Sequence, residues 1–264
     1  LMKFLVALFL AFALLGALLD HEWDPVELPT ISIAAIEAKL GTSQSGSALI
    51  LTEQFLLAES DIQDFLDGSG VSEEEFASVW IWDDRSQRAA IASAPGQDGE
   101  HHFSNSYLVG ILPFATDNKW LPLYALDKRK KYQLDSDQYG RTEVWQTSAE
   151  AFVELRGDCE DHAIVLADWL ISLGVDARVV LGLFEGEGHA WVVAFTNTQT
   201  FLLEATEKRR YKAWSHYPLA ELTSGYEPQF MFDRTTFWVN QGNPGTRDYR
   251  GTHWSESAHF IPAA

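Results

Sequence analysis

The chain contains one cysteine, Cys159, set among charges in Gly157-Asp158-Cys159-Glu160-Asp161-His162. A thiol attacks as its thiolate, and a helix N-terminus with a base beside it is where that form is favoured. Downstream, His189 opens an alternating stretch, and Glu204 closes a short apolar run. A thiol, an imidazole and a carboxylate in that order are the parts of cysteine nucleophilic chemistry. The ring takes the thiol proton and the acid orients the ring. Cys159, His189 and Glu204 are therefore the candidate catalytic residues. A lone cysteine is more often an inert small hydrophobe, but Asp158, Glu160 and Asp161 around it make poor packing chemistry. Those same carboxylates oppose thiolate formation. An imidazolium, a bound cation or carboxylates turned away must offset them.

The elements that carry these groups follow from local pattern. Asp158 stands where a helix N-cap belongs, so Cys159 is the first residue of a helix running to Leu173. Ile164, Val165, Leu166, Trp169, Leu170 and Ile171 make it apolar nearly all round, with a narrow polar stripe at Asp161, Asp168 and Ser172. Such a helix is buried and makes a rigid mount. Gly174 ends it, Ala177 to Leu181 reads as a strand, and residues 182–188 form a glycine-rich loop. His189 to Phe195 alternates, placing His189, Trp191, Val193 and Phe195 on one face. Phe201 to Glu204 returns as its antiparallel partner. Pairing Phe195 with Phe201 sets Glu204 opposite Val192, on the face away from His189. The acid reaches the ring only through a one-residue shift or a bulge, and Glu207 is the fallback. Upstream, Thr147 and Glu150 form a capping box that starts a helix through Leu155.

The rest of the chain sets bounds. Residues 4–19 are an unbroken apolar run after Lys3, the pattern of a secretory leader or signal anchor. A run of that length is short for a span, which needs about 20 residues. The expectation is an exported protein, periplasmic or held at the inner membrane by residues 4–19 and facing the periplasm. Residues 20–140 read as an N-terminal elaboration or subdomain, and 141–264 as the catalytic core with a C-terminal extension. A formal charge of −19 disfavours nucleic acid and anionic lipid. Ala48 to Ala58 is strand or helix; Asp61–Phe65 and Ser72–Trp80 read as helices, the second opened by a Ser72/Glu75 capping box. Ser93 to His102 reads as a surface loop in which His101 and His102 are solvated or, with Asp98 and Glu100, metal ligands, and Phe103 to Phe114 reads as a strand. The basic run Lys128-Arg129-Lys130-Lys131 is either an internal charge partner or a face for an acidic ligand.

Four segments resemble the transglutaminase-like superfamily: Gly157-Asp158-Cys159-Glu160-Asp161, Gly174-Val175-Asp176-Ala177-Arg178-Val179-Val180, Gly188-His189-Ala190-Trp191-Val192 and Leu203-Glu204-Ala205-Thr206. With Trp145 upstream, the wording is most similar to the bacterial periplasmic transglutaminase-like cysteine proteinases. The resemblance implies an α+β, papain-like core, with Cys at a helix N-terminus packed on an antiparallel sheet that carries His and the acid. It implies Cys159 as nucleophile, His189 as base and Glu204, in place of the family's Asp, as orienting acid. It also implies calcium at Asp158 and Glu160. Protein or peptide is the substrate class. The expected activity is hydrolysis through a thioester, by a peptidase or amidase. The alternatives are a protein-glutamine acyltransferase and a non-catalytic peptide-binding module on the same fold. Besides the Cys159 backbone N–H, Trp145 and Gln146 are the candidate oxyanion or substrate contacts.

Overall fold

The computed structural model describes residues 28–41, 43–69, 76–84, 87–206 and 217–263. In chain order the elements are α1 (Ile33–Glu37), β1 (Gly46–Ile50), β2 (Phe55–Ala58), α2 (Glu59–Ser69), β3 (Ser78–Asp84), β4 (Gln87–Pro95) and β5 (His101–Phe103). There follow α3 (Leu121–Arg129), β6 (Lys131–Tyr132), α4 (Asp135–Gln138), α5 (Ser148–Val153), β7 (Arg156–Gly157) and α6 (Cys159–Ser172). The chain then turns to strands: β8 (Asp176–Phe184), β9 (Glu187–Phe195), β10 (Thr200–Leu203), β11 (Tyr226–Phe232), β12 (Thr236–Asn240) and β13 (Trp254–Pro262). The result is a mixed helix and sheet architecture whose principal sheet is antiparallel throughout, as expected of an α+β chain.

That sheet has eight strands in the order β10-β9-β8-β11-β12-β13-β1-β2. β1 pairs with β13 and β2 with β1, so residues 46–58 complete a sheet built mostly from the second half of the chain. A three-stranded sheet, β3-β4-β5, packs against it, and Ser257 of β13 accepts a hydrogen bond from the Ala90 amide of β4 at 2.5 Å. Helix α6 lies on one face of the large sheet against β8 and β9, with α3 and α5 beside it. The alternation of β9 divides its residues between two cores. Ala190, Val192 and Ala194 join α6 in the main core. Trp191, Val193 and Phe195 join Val180, Met231, Leu202, Trp238 and Tyr249 in a smaller one on the other face. Among the described residues no helix is long and apolar enough to cross a membrane. Residues 4–19 lie outside them.

Several local expectations change. Ser78 to Trp80 belong to strand β3 rather than to a helix, because Val79 and Ile81 alternate with Trp80 and Trp82 along a pleated edge. The Ser72/Glu75 box lies outside the described residues. Phe103 ends a strand that starts at His101, and a 3-10 turn over Ser104–Tyr107 follows it. His101 and His102 are buried, not solvated. The His102 ring lies between Glu59 Oε2 at 3.5 Å and Asp98 Oδ2 at 3.0 Å, tying α2 to β5 and its loop. Of the basic run, Lys130 is an internal charge partner, 1% exposed. The Thr147/Glu150 capping box forms as read, although its helix stops at Val153.

Candidate active site

Helix α6 begins at Cys159, as the sequence indicates, with Asp158 at the N-cap position. The Asp158 side chain makes no cap hydrogen bond, so it leaves the first-turn N–H groups to other acceptors. The thiol stands at the tip of the helix rather than along its flank. A ring on the far-facing side of β9 can therefore meet it. Cys159 is partly exposed, while the eleven residues from Glu160 to Leu170 behind it are all buried. The mount is rigid and the sulfur remains reachable.

His189, near the start of β9, is hydrogen-bonded to Glu204 and lies close enough to Cys159 for the two groups to interact. Its Nε2 lies 2.9 Å from Glu204 Oε2, so Nδ1 is the ring nitrogen that Glu204 does not engage. The register explains how the acid arrives. Thr200 pairs with Phe195 and Leu203 with Val192, one residue away from the symmetric pairing of Phe195 with Phe201. The four-residue turn Thr196 to Gln199, closed by the Thr196 amide on the Gln199 carbonyl at 2.9 Å, sets that shift. Glu204 thereby follows onto the Trp191 side of the ribbon, the face that carries His189. Glu207 lies outside the described residues.

The two charges support one another. Burial would lower the His189 pKa, but hydrogen bonds and charge from Cys159 and Glu204 outweigh it and raise the pKa to about 9. Burial would raise that of Glu204, but the hydrogen bond and charge of His189, with Thr206, bring it below the usual carboxylate range. Glu204 is held on both oxygens. Thr206 donates to Oε1 through its amide at 3.1 Å and its hydroxyl at 2.6 Å. Tyr226 donates to Oε2 at 3.1 Å, beside the imidazole. Tyr226 enters from β11, which approaches β8 closely because Gly182, paired with His189, has no side chain. A Cβ on Gly182 would lie 2.2 Å from the Glu227 carbonyl oxygen.

Behind the thiol is a pocket of carboxylates. One oxygen from each of Asp135, Asp158, Glu160 and Asp161 lies within 4.8 Å of the others. Asp135 Oδ1, Asp158 Oδ1, Glu160 Oε1 and Asp161 Oδ2 are buried with no hydrogen-bond partner among the described residues. Orphaned buried carboxylate oxygens are costly, and a hard divalent cation takes oxygen donors of this kind. The donor set therefore fits calcium, and it is wider than the Asp158 and Glu160 read from the sequence. Burial and the neighbouring Asp158 raise the Asp135 pKa to about 7. Burial and the adjacent negative groups raise Glu160 well above its ordinary value. Burial does the same for Asp161, against the pull of Lys130. Gly157 makes room here, since a Cβ would meet Asp161 Oδ2 at 2.3 Å and Lys130 Nζ at 2.6 Å. The thiol itself donates to Glu160 Oε2 at 3.3 Å.

Neither residue named from the sequence as a second oxyanion contact has a donor to offer. Gln146 is fully buried. Its amide donates to Asp161 Oδ1 at 2.8 Å, and its Nε2 donates to Tyr139 and to the Arg156 carbonyl. The Trp145 indole donates to Glu143 at 2.7 Å, with its ring packed between Tyr107 and Phe232. Through its amide, Gln146 instead anchors Asp161, one carboxylate of the acidic pocket. Sequence reasoning missed Asp135 and Tyr226, and treated Asp161 only as an opposing charge. Asp135 precedes the cysteine by a helix and a strand, and no spacing motif links them.

Three comparisons bear on this arrangement. A family described as the CEP76 peptidase-like domain matches residues 143–255, less than half of the chain and the part that holds the thiol, ring and acid. The centrosomal protein of 76 kDa from Pongo abelii is 36% identical over 74 residues, 27% of this chain and 11% of that protein. The chain thus spans about a tenth of the length of that curated relative. Among solved structures the chain is similar to LapG from Legionella pneumophila, with TM-score 0.38 and 18% identity, over 53% of this chain and 75% of LapG. Calcium-bound LapG from the same organism gives TM-score 0.35 and 19% identity, over 57% of this chain and 81% of that one.

Proposed function

We propose that the protein is a cysteine hydrolase, a peptidase or amidase acting on protein or peptide. Cys159 is its nucleophile, His189 its general base and acid, and Glu204 the acid that orients the ring. The observation that carries this is the convergence of the three groups from α6, β9 and the end of β10 around one partly exposed thiol. His189 takes the thiol proton on Nδ1 while Nε2 stays on Glu204. The sulfur adds to the carbonyl, and the developing oxyanion rests against the Cys159 backbone N–H at the helix start. His189 then gives its proton to the leaving amine, and water, activated by the same ring, cleaves the thioester. An amine in place of water would make the enzyme an acyltransferase. A site holding the parts of acid–base chemistry favours catalysis over a non-catalytic binding module.

Asp135, Asp158, Glu160 and Asp161 would hold a calcium ion, which would add positive charge to that of the one ammonium named beside them, Lys130. The apolar run of residues 4–19 supports export, with this domain facing the periplasm. The test is to compare peptides released from a cell-envelope extract by the wild type and by Cys159→Ala. The expected result is a set of fragments that appears with the wild type alone. Identical fragment sets from the two proteins would overturn the reading.

A further inference from the structure

We infer that Tyr226 is a positioning residue for the acid of the site, and that Tyr226 with Thr206 is what allows a glutamate to serve there. The inference rests on the catalytic reading of Cys159, His189 and Glu204. A glutamate has one more rotatable bond than an aspartate, and an unclamped side chain spreads its carboxylate over several rotamers. Glu204 is allowed none of that freedom. Oε1 is fixed by the Thr206 amide and hydroxyl, and Oε2 receives both His189 Nε2 and the Tyr226 hydroxyl. Those four donors fix the plane of the carboxylate, and the plane of the carboxylate fixes the tilt of the imidazole.

The Tyr226 ring is itself held. It packs on Phe184 with centroids 4.5 Å apart and meets Trp191 edge-on at 4.9 Å. Trp191 is pinned by its indole N–H on the Tyr249 hydroxyl at 3.2 Å. Phe184 also lies over His189 at 5.8 Å, so one aromatic cluster sets both the ring and the hydroxyl that anchors its acid. Gly225, with φ of +92°, opens the strand at the point where a Cβ would touch the Phe184 ring at 3.2 Å. The backbone before Tyr226 is thus shaped for this stack.

The test uses the full chain and its lone thiol, with iodoacetamide as probe and the rate of Cys159 alkylation at pH 7 as readout. Four proteins are compared: wild type, Tyr226→Phe, Glu204→Ala and the double variant. Tyr226→Phe keeps the packed ring and removes only the hydroxyl. The expected result is a slowing of about three- to tenfold with a melting temperature lowered by no more than a few degrees, and no additional slowing when Glu204 is already alanine. A wild-type rate in Tyr226→Phe, or the same fold-loss with and without Glu204, would overturn the inference. His189→Asn separates the two levels of argument. If it reacts as fast as the wild type, the catalytic reading itself fails. If it is slow while Tyr226→Phe is fast, only the role of Tyr226 is lost.

Discussion

Replacing Glu204 with glutamine keeps the shape of the acid and removes its charge, and its effect on His189 can be worked out in advance. The ring is raised from 6.5 to about 9. At about 1.36 kcal/mol per tenfold step, that is on the order of 3 kcal/mol in favour of the imidazolium. The ring is 15% exposed and the acid 13%, so solvent screening trims the figure to roughly 2–3 kcal/mol. Burial lowers the ring, and two partners raise it by more, Glu204 at 2.9 Å and Cys159. Burial persists when the Glu204 charge is lost, so half or more of the net shift goes with it, at least roughly 1 kcal/mol, and the midpoint falls to about 8 or lower. The assay is an NMR titration of the imidazole ring protons, with His189→Asn to assign the resonance. A folded-state pKa raised above its unfolded value stabilises fully below about 6.5, and that contribution is lost as pH rises through about 9. The excess of wild-type melting temperature over Glu204→Gln should therefore shrink across that window. A His189 midpoint of about 6.5 in the wild type, or one unmoved in Glu204→Gln, would refute the reasoning.

Two further outcomes are expected. Gly182→Ala forces a methyl against the Glu227 carbonyl at 2.2 Å and the Trp191 ring at 3.0 Å. Overpacking of that kind costs about 1–3 kcal/mol, and melting should fall by roughly 2–10 °C; calorimetry showing no change would contradict the close approach of β11 to β8. Calcium should raise the melting temperature at pH 7.5, by an amount equivalent to about 2.7 kcal/mol at a hundred times its dissociation constant. Because Asp135 is held to about 7 in the fold, the calcium-free protein should lose stability as pH rises from about 4 through 7. Calcium should accordingly help less at pH 5.5, where protons compete for the same oxygens, and a shift independent of pH would count against the pocket.

The parts of this site closest to the cysteine are legible in the sequence because their patterns are local. The apolar run behind Cys159 can only be a buried helix, and the alternation from His189 assigns its face without knowledge of the partner strand. The register that brings Glu204 round was posed by the sequence as a condition and could not be decided there. It depends on whether four or five residues make the turn after Phe195, and Thr196 and Gln199 fix that by closing on each other. Tyr226 and Asp135 arrive by tertiary contact alone, one from strand β11 and one from a short helix before the cysteine. The burial of His102 was hidden for the opposite reason. A polar, glycine-bearing stretch looks solvated until Glu59 and Asp98 close on the ring from two sides.

The pairing of β1 with β13 places the early chain at the outer flank of the large sheet, against its last strand. A fragment beginning near residue 141 would keep the thiol, ring and acid but expose the Ala258–Pro262 stretch of β13, which β1 covers, as a raw hydrogen-bonding border. Such a border recruits other strands. The excised core would be expected to clump before it could be assayed, and useful dissection has to proceed by point substitution within the intact polypeptide.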